Sequence, residues 1–212
     1  MSENRKKLIV HNKLDVYNAK NDNDLKDVYQ EWANTYDYDN DHVLGTVSQP
    51  LSVQRFQVYV KNKTCRILDV GCGTGLVGME LAKAGFTNYD GVDISQEMLN
   101  IAKEQQYSQL FQGSLNDKLP CLDREYDAAL CVGVFTHGHV QSDRLIELVR
   151  VVKPGGIICF TVNEGIYSSY GFDTKIAELE SDNVWNVLEI TRQDYMVKKD
   201  VKGWYCVAEV AA

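Results

Sequence analysis

The chain has 212 residues, with 22 Lys and Arg against 30 Asp and Glu and hence a formal net charge of −8. That length accommodates one well-buried domain, and the acidic balance opposes a phosphate backbone, so a nucleic-acid partner is not expected. Apolar residues at 44% and charged residues at 25% are ordinary for a water-soluble domain; no leader and no membrane-spanning run is read, so no membrane partner is expected.

Residues 1–23 are polar, rich in Asn, Asp and Lys, and are read as a flexible segment in which Arg5, Lys6 and Lys7 form a solvated terminus. Residues 24–212 are read as a single domain that opens with a helical segment, residues 24–61. Leu25, Val28, Tyr29, Trp32, Ala33 and Tyr36 recur at helical spacing, with Asp24 as the cap. The acidic stretch 37–42 breaks that helix, and a second one spans 51–60.

A short apolar strand, 67–70, carries Asp69 and runs into a turn with glycines at 71, 73 and 75. Such glycines permit positive φ and close approach of a ligand to the backbone. A helix over 76–83 follows and presents free N–H groups at its start. Strand two, 89–92, leads to Asp93, about twenty residues past the turn, the interval at which an acid meets ribose hydroxyls. Ser95 caps a helix to about 105. Residues 109–112 form strand three, and a loop follows over 113–123.

Residues 126–132 make an apolar fourth strand buried on both faces. A helix over 143–151 turns Leu145, Ile146, Leu148 and Val149 inward. Lys153, Pro154, Gly155 and Gly156 form a sharp turn into a fifth strand, 157–162. Two extended segments, 185–196 and 203–210, close the chain as a hairpin. Strands alternating with helices imply α/β architecture with a parallel sheet. Six cysteines (65, 72, 121, 131, 159 and 206) lack metal-type or C-x-x-C spacing and are read as reduced thiols of a cytoplasmic protein, and no metal site is expected.

Gly73, Gly75 and Gly78 formally match G-x-G-x-x-G, which leaves a nicotinamide oxidoreductase open. The strand ends at Val70, however, so the relevant string runs from Asp69 through Gly71, Gly73 and Gly75, with Gly78 inside the helix. In that register the chain resembles the class I methyltransferases that use S-adenosylmethionine. Val28-Tyr29-Gln30-Glu31-Trp32-Ala33-Asn34-Thr35-Tyr36-Asp37 adds a second resemblance, to the opening of small-molecule methyltransferases and in particular to the Williams–Beuren-region methyltransferase-like proteins.

The resemblance implies a Rossmann-like, doubly wound, mostly parallel seven-stranded sheet with a C-terminal antiparallel hairpin, and S-adenosylmethionine as cofactor. It implies that Gly71, Cys72, Gly73 and Gly75 approach the methionine half of that cofactor, with Asp69 supporting the turn and its ammonium group. Asp93 would hold the ribose hydroxyls, and Ile94 and Met98 would sandwich the adenine. Ser114 and Leu115 follow strand three, where the family often carries an acid for the adenine amino group. Val132 ends the strand beneath the transferred methyl. Tyr36 and Tyr29 would reach the cofactor carboxylate from a lid, residues 24–61, that Trp32 packs.

His137 is the candidate general base, with a backbone-bonded loop histidine as the alternative; His139 stands two residues away without a nearby acid. Tyr167, Tyr170 and Phe172 form either an acceptor pocket or a hydrophobic plug. The expected acceptor is a small molecule bearing an O or N nucleophile. A protein acceptor and a non-catalytic binding module stay open, and the oligomeric state is unknown.

Overall fold

The computed structural model describes residues 21–137 and 140–212. Most of the expected amino-terminal segment and His139 therefore lie outside the described residues. Seven strands make one sheet: β1 (Ile67–Val70), β2 (Tyr89–Asp93), β3 (Leu110–Gln112), β4 (Tyr126–Phe135), β5 (Val152–Asn163), β6 (Trp185–Met196) and β7 (Val201–Val210). Their order is β3-β2-β1-β4-β5-β7-β6. The first five run parallel, and β7 lies antiparallel between β5 and β6. This is the expected mostly parallel sheet with a closing antiparallel hairpin.

The chain winds outward from β1 to β3 on one side and from β4 on the other, so the switch point opens at the carboxyl ends of β1 and β4. Alternate side chains serve opposite faces. Leu68, Val70, Ala129, Cys131, Ile158 and Phe160 join one core, whereas Ile67, Ala128, Leu130, Val132, Ile157 and Cys159 join the other. Both faces are buried, which is why the central strands read as continuous apolar runs.

Six helices matter here: α1 (Asp22–Trp32), α2 (Ser48–Tyr59), α3 (Leu76–Lys83), α4 (Gln96–Ala102), α5 (Leu145–Val151) and α6 (Phe172–Ser181). Val53 and Phe56 of α2 and Val77 and Leu81 of α3 fill one core; Leu145, Leu148 and Val151 of α5 fill the other. Ser95 caps α4 as expected, its hydroxyl accepting from the Met98 N–H.

Several local expectations are corrected. The cap of α1 is Asn21, whose side chain accepts from the Asn23 and Asp24 N–H groups, so the helix starts before Asp24. It stops at Trp32, and Tyr36 belongs to a separate turn, Tyr36–Tyr38, which continues into a π-helix, Asp39–Leu44. Ile146 is 49% exposed and Val151 takes its inward place. Residues 153–156 are a bulge within β5 rather than a turn before it: the β4 partners pass from Tyr126↔Val152 directly to Ala128↔Ile157.

Helix α6 was not foreseen. Phe172 opens it, fully buried, with its ring 5.0 Å from that of Phe135. Tyr167 stacks on Trp204 at 4.5 Å. These aromatics form the plug of the two alternatives, not a pocket. Trp185 anchors the hairpin beneath α6, fully buried, stacked on Phe160 and donating its indole N–H to the Ile176 carbonyl at 3.2 Å. Trp185→Ala is expected to cost about 3–5 kcal/mol through the cavity it leaves; urea unfolding would measure this, and a loss below about 1 kcal/mol would show that the site collapses.

Candidate active site

The glycine turn after β1 is held from β2. The N–H groups of Gly71 and Cys72 both donate to the Val92 carbonyl, at 2.8 and 3.0 Å. The Gly73 N–H donates to Asp93 Oδ2 at 2.8 Å, while Asp93 Oδ1 accepts from the Ser95 N–H at 2.9 Å. One carboxylate thus joins the turn, the end of β2 and the start of α4.

Two glycines of the turn matter for different reasons. At Gly71 (φ +72°) a Cβ would lie 2.2 Å from Val134 Cγ2, so no side chain fits between the turn and β4. At Gly73 (φ +54°) a Cβ would meet nothing within 4 Å. There the left-handed backbone favours glycine, and the open side faces a cleft.

That cleft encloses about 840 Å³, its open mouth included. Gly71, Gly73 and Asp93 line it, as do Ile94, just after β2, and Met98, in the first turn of α4. Ser114 and Leu115 come from the loop after β3, Val132 and His137 from β4 and its exit, and Tyr29 and Tyr36 from the amino-terminal segment. Asp69, Cys72 and Gly75, also expected here, are set back from the surface. Asp69 is fully buried and accepts from Tyr107 Oη at 2.6 Å, and that Oη accepts the Gly78 N–H at 3.2 Å. Cys72 is buried against Gly91, and Gly75 begins α3 with its Cα facing Gln105 and Tyr107. These three shape the turn from behind.

Burial governs the ionisation of the site. It pushes the Asp69 carboxyl up to about 7, opposed by the Tyr107 hydrogen bond and reinforced by the charge of Asp93. Burial also raises Asp93, against backbone N–H groups of Ser95, Gly73 and Ile94 that favour its charged form. Tyr36 is pushed to about 12 by burial first and by the Asp93 charge second, so its phenol stays neutral.

The amino-terminal segment is pinned across the cleft by two acids that sequence reasoning missed. Asp22, at the start of α1, accepts from Ser114 Oγ at 2.5 Å and Asn116 Nδ2 at 2.7 Å, and it lines the cleft. Asp37 accepts from Thr74 Oγ1, on the glycine turn, at 2.5 Å. For Asp22 the signal was Ser114, a hydroxyl where the family often carries an acid; Asp37 closes the string that begins at Val28, without a role assigned to it there. Between the pins, Trp32 packs edge-on against Tyr36 at 4.8 Å and donates its indole N–H to Asp39 at 2.7 Å.

His137 lines the far end of the cleft, its Nε2 2.7 Å from the position a Cβ on Gly165 would take. A second cleft, of about 570 Å³ with its mouth included, shares Tyr29, Tyr36, Gly133 and Thr136 with the first.

Residues 68–160 match a family described as a methyltransferase domain. The human methyltransferase-like protein 27 is 33% identical over 167 residues, which cover 76% of this chain and 67% of that protein. The chain belongs to the class I S-adenosylmethionine-dependent methyltransferases. A ubiquinone biosynthesis O-methyltransferase from Hydrogenovibrio crunogenus is 30% identical over 154 residues, 67% of this chain and 61% of that protein. The chain therefore spans about two thirds, or somewhat less, of these relatives. A methyltransferase structure from Thermotoga maritima superposes with a TM-score of 0.62 at 16% identity, covering 88% of this chain and 99% of that one, and shows the same fold. S-adenosylmethionine is the cofactor of this methyltransferase family. Gly78, the last glycine of the formal dinucleotide match, sits within α3 against Tyr107.

The raised Asp69 carboxyl has a definite consequence for stability. Its folded-state value lies above that of the unfolded chain, so its contribution is complete below about pH 4 and is lost as pH rises towards 7. Across that window the ligand-free protein is expected to lose stability relative to Asp69→Asn. Melting temperatures of both proteins from pH 4 to 8 would test this, and parallel curves would refute it.

Proposed function

We propose that this methyltransferase binds S-adenosylmethionine in the first cleft and transfers its methyl group to an O or N nucleophile of a small molecule in the cytoplasm. The observation that carries the reading is the Asp93 carboxylate at the edge of the glycine turn, beside the open face of Gly73. A carboxylate can accept from both hydroxyls of a ribose while keeping its backbone bonds. Ile94, Met98 and Leu115 offer an apolar slot for the adenine. Gly71 and Gly73 leave room for the amino acid half, with Asp69 beneath the turn.

Charge supports the same choice. Among the described residues lining the cleft, Asp22 and Asp93 are acidic and none is Lys or Arg. Such a site suits a ligand carrying sulfonium and ammonium groups and opposes the pyrophosphate of a nicotinamide dinucleotide. Asp22 supplies from α1 the acid that the loop after β3 lacks, and it is placed to accept from the adenine amino group. Tyr36 and Tyr29 close the cleft from the lid. All six cysteines are free and buried, which supports a reducing compartment, and no helix among the described residues is long and apolar enough to cross a membrane.

The bound cofactor supplies an already activated methyl, so the protein's main task is to hold the nucleophile in line at about 3–3.5 Å. Gly133 and Thr136, on the shared wall of the two clefts, border that approach. The acceptor's lone pair would form the bond to carbon as the carbon–sulfur pair returned to sulfur, and His137 would take the acceptor's proton.

Calorimetric titration with S-adenosylhomocysteine tests the donor site. Asp93→Ala is expected to weaken binding by about 1.5–3 kcal/mol and Asp22→Ala by about 1 kcal/mol or more, as for hydrogen bonds to charged groups. Wild-type affinity in Asp93→Ala would sink the reading. His137→Ala should bind S-adenosylhomocysteine as wild type does yet transfer methyl more slowly from labelled donor into a metabolite extract. Unchanged turnover would remove His137 from the mechanism.

A further inference from the structure

The second cleft begins where the first ends. Its shared walls come from the two elements that bound the donor site, the lid aromatics Tyr29 and Tyr36 and the β4 exit at Gly133 and Thr136. Farther in, it is bounded by Trp32, by Met196 at the end of β6, and by Ser48 at the start of α2. None of the described residues lining it carries a charged side chain; the walls are aromatic, aliphatic, amide or hydroxyl. Asp39, on the same segment, is turned to Trp32 Nε1 and Thr35 Oγ1 and does not line it.

Ser48 is the informative residue. It is 1% exposed, and its Oγ has no hydrogen-bond partner. A buried hydroxyl left unpaired is a net cost to folding, and alanine would be the more stable choice. It also opens a 12-residue helix that no side chain caps, so the first N–H groups of α2 lack intrahelical acceptors beside it. The cleft therefore combines uncharged walls, rich in aromatic rings, with an unpaired hydroxyl at an uncapped helix start. Near-parallel Tyr29 and Trp32 rings, 6.2 Å apart, add to the flat surfaces.

We propose that the second cleft receives the methyl acceptor, and that it selects an uncharged, ring-bearing molecule that anchors one neutral hydroxyl on Ser48 at the amino-terminal end of α2 while its nucleophilic atom faces the first cleft across Gly133 and Thr136. The inference rests on the first cleft being the donor site. An acidic or cationic acceptor would lose its hydration there without any counter-charge from the protein. A neutral ring loses little, and its hydroxyl both donates to and accepts from the groups around Ser48.

The test uses phenol, benzoate and benzylamine, three rings of similar size that differ in charge. Their binding is measured by saturation-transfer NMR on protein saturated with S-adenosylhomocysteine, whose neutral thioether removes the sulfonium charge from the comparison. Phenol is expected to bind at least about tenfold more tightly than either charged ring, since neither finds a partner for its charge. Ser48→Ala should weaken phenol about three- to tenfold without lowering the melting temperature, because the lost bond exists only in the complex.

Ser52, one turn along α2, provides the control. Its hydroxyl is likewise buried and unpaired, but it does not line the second cleft. Ser52→Ala should leave phenol affinity unchanged. Binding of none of the rings, equal or tighter binding of a charged one, or phenol binding indifferent to Ser48 would overturn the proposal. S-adenosylhomocysteine affinity, read on the same samples, separates the two layers: its absence would undo the donor site, whereas its presence with a failed phenol series would undo only the acceptor assignment.

Discussion

The site is organised around a carboxylate that does two things at the end of one strand. Asp93 accepts from the Gly73 and Ser95 N–H groups, so the glycine turn after β1 and the first turn of α4 are fixed to the same side chain. Both donors are backbone groups that a tight turn and a helix start leave without ordinary partners. Burial makes a charge at this position unfavourable, and those bonds oppose that tendency. The carboxylate is consequently held at the cleft edge in a geometry set by the backbone rather than by its own rotamer freedom. A ligand hydroxyl arriving there meets an acceptor already oriented.

A second constraint is the way the amino-terminal segment is fastened. α1 and the turn after it contribute few buried side chains: Trp32 is the only buried residue of α1. An apolar cluster around Trp32 and Leu44 packs the segment against Met196 of β6, and polar pins, Asp22 to Ser114 and Asn116, and Asp37 to Thr74, tie it across the cleft. Hydrogen bonds of this kind contribute about 1 kcal/mol each net of competition with water. Asp22 also lines the cleft, so the side chain that fastens α1 faces the cleft interior as well.

What was legible in the sequence follows from where the relevant information is local. β1, α3 and the glycine turn were read to the residue because a buried strand, a glycine pattern and a helix start each leave a short-range signature. The carboxyl-end position of Asp93 followed from that register. Features set by tertiary contact were misread. Residues 153–156 look like a turn because Pro154, Gly155 and Gly156 favour one, yet pairing with β4 continues on both sides and turns them into a bulge. α6 was obscured because Phe172 and the tyrosines before it suggested a loop pocket, when their rings pack against Phe135 and Trp204. Asp22 was hidden in a polar run and becomes informative only once the chain folds back over Ser114.

The two clefts divide the chemistry by charge. The first collects acids, Asp22 and Asp93 at its surface and Asp69 behind the turn, and can hold a cation. The second has aromatic walls and uncharged polar groups. Methyl transfer from a sulfonium to a neutral oxygen removes a positive charge from the donor side and releases a proton from the acceptor side. A uniformly acidic cavity would hold the donor but disfavour loss of its charge; a uniformly apolar one would not hold the donor at all. The proposed division, with the acids around the cofactor and a neutral approach for the acceptor, satisfies both requirements. Tyr36, a neutral phenol that burial and then the Asp93 charge move still further from ionisation, keeps its part of the shared wall uncharged.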